Sequence, residues 1–211
     1  MDYQQSRAQA APAIDVGLRQ YMLRVYNYMA SGLALTGLVA YMLFQATAVT
    51  GPTGDIVGLT NLGVSLYTGP MMWIVALAPL GVVLYMSFGI RNMSASRAQT
   101  MFWVFAFLMG LSLSTIFLTY TQASIARVFF ITASTFGAMS IYGYTTKRDL
   151  TGMGSFLFMG LIGSIIASIV NIFMQSSMMY FVISILGVLI FVGLTAYDTQ
   201  KIKNMYMAYD S

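Results

Sequence analysis

The stretch Phe191–Tyr206 reads FVGLTAYDTQKIKNMY. It closes an apolar run of membrane thickness and then turns polar within one helical turn. Asp198 stands at that change, followed by Lys201 and Lys203. No other acidic residue lies inside an apolar run or at the end of one. A carboxylate in hydrocarbon costs roughly 2.5–3.5 kcal/mol on insertion scales, so such a residue is read first as a functional group. The alternative is that Asp198 simply marks the interfacial end of a helix.

Working outward, the composition fits a chain built to sit in lipid. Of 211 residues, 58% are hydrophobic and 8% are charged, against about 25% charged in a soluble domain. Cysteine and histidine are absent, and so is glutamate. Disulfides, thiolate metal sites and the usual His-centred catalytic pairs are therefore excluded. The net charge of +4 is spread over short loops and forms no nucleic-acid patch. The eighteen methionines read as adaptable apolar packing.

Six continuous apolar runs follow in order: about residues 25–48, 70–90, 100–120, 123–144, 153–174 and 178–197. Each is long enough to cross a hydrocarbon core of about 30 Å as a helix. The expected fold is an all-α integral membrane protein with a membrane domain over residues 21–211. Residues 1–20 read as a polar, disordered tail. Residues 50–69 read as a linker in which Asp55 is a turn residue. Pro79 sits in the middle of the second run, where it removes one helical hydrogen bond. The links after the third and fifth runs are so short that runs three and four, and runs five and six, are expected to be antiparallel neighbours.

Nine of the ten basic residues fall in the N-terminal tail, the loops after runs two and four, and the end after run six. The loops after runs one, three and five hold none. The positive-inside rule then puts the N-terminus and the segment after Asp198 in the cytoplasm. The protein is accordingly expected as a multi-pass membrane protein, with the lipid bilayer as its main partner.

Run five carries small residues at four-residue spacing, Gly160, Ser164 and Ser168, beside Gly163, Ala167 and Asn171. These permit close helix approach, with hydroxyls available for bonds across the interface. Asn171 is also a candidate for the outer vestibule of a polar path. Asp198 is the candidate proton-sensitive group of such a path, with Arg91 and Lys201 as cations within its expected reach. Asp198 also offers oxygen to a hard cation such as Ca²⁺, though one carboxylate makes a weak metal site. No resident cofactor is expected.

Three segments, SLSTIFLTYTQASIARVF (112–129), GAMSIYGYTTKRDL (137–150) and GLTAYDTQKIKNMY (193–206), resemble the Bax inhibitor family, in particular its bacterial branch. The resemblance extends from about residue 21 to the end. It implies a multi-helix membrane protein with a pH-sensitive calcium leak, Ca²⁺ being the permeant ion. In that scheme a pair of aspartates shares or loses a proton. Asp198, with its motif neighbours Tyr197, Thr199 and Lys201, matches the first aspartate, and Arg91 matches an arginine on the second helix that engages the pair. The resemblance further implies a seventh helix carrying the second aspartate; the sequence stops at Ser211 without it, so a truncated form or a six-helix variant is expected.

Other classes remain beside the leak. The alternative implied by the bacterial branch is an interaction protein that modulates a membrane-anchored AAA protease. An aspartyl-type intramembrane enzyme needs a second carboxylate, and no apolar run supplies one, so no enzymatic role is expected. A secondary transporter is disfavoured by the lack of repeat symmetry.

Overall fold

The computed structural model describes the backbone of residues 2–52 and 55–209 and the side chains of residues 16–52, 55–90 and 92–207. The elements are α1 (Asp2–Thr47), β1 (Ala48–Thr50), β2 (Ile56–Leu59), α2 (Asn61–Tyr67), α3 (Gly69–Gly89), α4 (Ala95–Leu113), α5 (Ile116–Thr119), α6 (Gln122–Thr145), α7 (Thr151–Met174) and α8 (Ser177–Tyr209). Six helical segments are long and apolar enough to span a membrane. The protein is an all-α, multi-pass membrane protein. Its large apolar side chains lie mostly on the outside of the bundle, as they do where the surrounding medium is lipid.

The chain forms two compact units. One comprises residues 1–23 and 128–211, the other residues 24–127. In the second, α3 and α4 pack against each other. The backbone of α1 meets α4 where a β-carbon at Gly110 would overlap the carbonyl oxygen of Thr36 and the side chain of Val39. The Thr36 hydroxyl donates to the Ala106 carbonyl across this contact, at 2.8 Å. Pro79 lies within α3 and is the buried residue of that helix.

Three expectations need correction here. The linker is not featureless: β1 and β2 pair antiparallel, with Ala48 opposite Leu59, and α2 follows, capped by the Thr60 hydroxyl. The third run does not continue as one helix to Tyr120. It breaks at Ser114 and Thr115, whose hydroxyls donate to the carbonyls of Leu111 and Ser112 three residues back. Such local bonds compete with the helical ladder. Finally, part of the expected tail is packed helix. Residues 16–20 belong to α1, and Leu18 is buried. The side chains of residues 1–15 lie outside the described ones.

In the first unit, α7 and α8 form the expected hairpin. Their turn is closed by Gln175 in the left-handed region, φ 49°. The small-residue stripe of α7 serves this packing in part: Gly160 approaches Ile190. The serine hydroxyls do not reach across. Ser168 donates back to the Ser164 carbonyl at 2.7 Å. The other expected hairpin, runs three and four, is divided between the units: α4 and α5 fall in one, and residues 128–145 of α6 in the other.

Candidate functional site

Helix α8 does not stop where its apolar run stops. No glycine or proline interrupts residues 194–209, so the helix continues for three polar turns. The continuation has two faces. Thr199 and Gln200 are buried, while Asp198 and Lys201 are exposed. Asp198, Lys201 and Met205, at i, i+3 and i+7, share the outer face.

The inner face is pinned at four places. Gln200 Oε1 accepts the backbone N–H of Leu150 at 2.9 Å, and Gln200 Nε2 donates to the Arg148 carbonyl at 2.7 Å. One carboxamide thus satisfies two backbone groups of the α6–α7 connection, both of which lack helical partners. Lys203 Nζ donates to the Tyr144 carbonyl near the end of α6 at 2.8 Å, with its ammonium 5.2 Å from the Tyr144 ring centroid. Tyr206 packs on Tyr21 of α1, ring centroids 5.1 Å apart. Tyr197 lies against Gly154 at the start of α7, where a β-carbon would overlap its ring.

The connection itself is shaped by Asp149. Its carboxylate accepts from the Thr151 hydroxyl at 2.6 Å and from the Thr151 N–H at 2.9 Å. The hydroxyl bond first and the backbone bond second hold the Asp149 carboxyl below its usual range. Between this turn and the outer face of α8 opens a cavity of about 260 Å³ lined by Thr151, Tyr197, Gln200, Lys201, Asn204 and Met205.

The residues singled out in the sequence are not all brought together. Asp198 makes no hydrogen bond or ion pair among the described residues, and the side chain of Arg91 lies outside them. Lys201 stands over the Tyr197 ring, 5.9 Å from its centroid. Asn171 sits at the opposite end of α7 from Thr151, twenty residues away, or roughly 30 Å along the helix. Its Oδ1 accepts the Ser176 N–H at 3.0 Å, so it closes the α7–α8 turn. Among the described residues no group of three His, Cys, Asp or Glu side chains forms a metal site.

The sequence reading missed Gln200 and Lys203, although TTKRD and AYDTQKIK both stood at basic ends of runs. It also missed a buried trio in the second unit. Tyr67 Oη lies 2.8 Å from Ser114 Oγ and 3.1 Å from Thr47 Oγ1. Thr47 and Ser114 are fully buried.

Residues 18–211 match the family described as inhibitor of apoptosis-promoting Bax1. The chain belongs to this family. It is 52% identical over 202 residues to an uncharacterized protein of Rickettsia prowazekii, covering 91% of this chain and 76% of the relative. It is 45% identical over 193 residues to the inner membrane protein YbhL of Escherichia coli K12, covering 90% of this chain and 76% of that protein. A protein of Caulobacter vibrioides is 44% identical over 212 residues, covering 97% and 83%. No solved structure matches the chain. The helix α8 and its clasp therefore lie within the segment that defines the family.

Proposed function

We propose that the protein is a leak path for calcium ions across the inner membrane, regulated by pH through Asp198, with its N-terminus in the cytoplasm. One observation carries this reading. Asp198 is the sole carboxylate within the six candidate spans, and among the described residues nothing engages its oxygens. A carboxylate locked in an ion pair is closed to protons and cations alike. A carboxylate at the boundary between oil and water can exchange a proton, or pass a hard cation between its own oxygens and those of water. Family membership and the placing of YbhL in the inner membrane support the same reading. The proposal rests on Asp198.

Reconstitution into vesicles loaded with a calcium-sensitive dye tests it. The wild-type protein is expected to pass Ca²⁺ at a rate that changes with pH, and Asp198→Asn to lose that pH dependence. Equal fluxes at every pH in both proteins would overturn the assignment.

A further inference from the structure

The cavity beside Lys201 has a lining that the leak reading does not use. Its α8 side is one stripe of that helix, where the apolar Tyr197 ring and Met205 flank Lys201 and Asn204, the last two exposed. Neither the Lys201 ammonium nor the Asn204 carboxamide makes a hydrogen bond among the described residues, so both keep donors to offer. Among the described residues no carboxylate lines the cavity. The nearest in sequence, Asp149, is turned onto Thr151 by two hydrogen bonds, and Asp198 lies on the Lys201 face outside the lining. Lys147 and Arg148 of the α6–α7 connection and Lys203 of α8 add positive charge on either side of Lys201 in sequence.

Position adds to chemistry. The cavity lies where the apolar run of α8 ends and α7 begins. Both helices continue from here as membrane-span sequence. A ligand seated in it would have its charged part beside Lys201 and Asn204 and its remainder alongside exposed apolar helix.

We infer that this cavity holds the phosphodiester headgroup of an anionic phospholipid. The Lys201 ammonium and the Asn204 amide donate to the phosphate oxygens, while Tyr197, on the side of the apolar run, receives the start of the acyl region. A free phosphate ion shares the first half of this chemistry but makes no use of the second. Basic pockets between membrane helices select anionic headgroups in this way, each cation near the surface contributing about 1 kcal/mol.

The test uses the full chain purified in detergent, mixed with phosphatidylglycerol, phosphatidylcholine or inorganic phosphate, and read by native mass spectrometry and thermal unfolding. The expected result is a retained phosphatidylglycerol adduct and a raised unfolding temperature, with neither from phosphatidylcholine nor from phosphate. Lys201→Gln should weaken phosphatidylglycerol retention about fivefold. Asn204→Leu should weaken it in the same direction, and Arg97→Gln, an exposed cation of the other unit, should leave it unchanged. Both altered side chains are exposed, and gel filtration confirms that each variant is folded. Protection by inorganic phosphate equal to that by phosphatidylglycerol would overturn the lipid assignment. So would undiminished retention in Lys201→Gln, or an equal loss in Arg97→Gln.

Discussion

Each unit buries a polar cluster where helices end, and the two are built differently. In residues 24–127 the cluster is neutral: Thr47 ends α1, Tyr67 ends α2, and Ser114 follows α4. Thr47 and Ser114 each donate to a carbonyl of their own helix, Leu43 and Leu111, both at 2.6 Å. The Tyr67 hydroxyl therefore donates into the pair and is the link between otherwise satisfied groups. In residues 128–211 the buried member is the Gln200 carboxamide, joined by the half-buried Lys203 ammonium and the exposed Asp149 carboxylate, and the cluster's acceptors are the backbone carbonyls of Tyr144 and Arg148 and the side-chain oxygens of Gln200 and Asp149. Neutral hydroxyls tie helix ends together without responding to pH. The charged clasp ties them together and also presents an outer face that carries Asp198 and Lys201.

The difference can be broken at its strongest point first. Gln200→Leu leaves the N–H of buried Leu150 without an acceptor, and is expected to destabilise the protein by about 2–3 kcal/mol. Thermal unfolding in detergent, with proteolysis at the 146–150 connection, measures it. Tyr67→Phe removes one donor but orphans no buried N–H, so about 1 kcal/mol is expected, with a loss that stays constant across acid and neutral pH.

The smallest effect is the pH response of Asp149, which is fully exposed. Its folded carboxyl lies below the ordinary value of 3.8, so ionisation favours the folded state above that value. The stabilisation is lost as pH falls through the lower folded value. Unfolding midpoints of wild type and Asp149→Asn should differ at about pH 6 and draw together as the pH falls below 3.8. A difference that persists in acid would remove the charge contrast between the clusters.

The spans were legible because each is a long apolar run, and length alone decides that a backbone in lipid must be helical. The α7–α8 hairpin was legible because Gln175–Ser177 leaves no slack. The clasp was not, since Gln200 meets Leu150 across fifty residues of sequence and nothing in a local pattern announces that partner. The Thr47–Tyr67–Ser114 trio was hidden for the same reason. The break at Ser114 and Thr115 could have been read from SLST, two hydroxyl residues side by side in an apolar run. The sequence put Asp198 at the end of an apolar run, whereas the span as folded runs on to Met207; its exposed face is set by which side of α8 packs inward. Asn171 was polar for a local reason, the closing of a turn.

Within residues 128–211, α6 and α8 touch where a β-carbon at Gly143 would overlap the carbonyl oxygen of Ala196. Bare main chain lies against main chain there, with no side chain to act as a cushion. A one-turn slide of α6 would bring the long side chain of Met139 into a gap that only hydrogen fits. The register of α6 against α8 is thereby set two residues before Asp198.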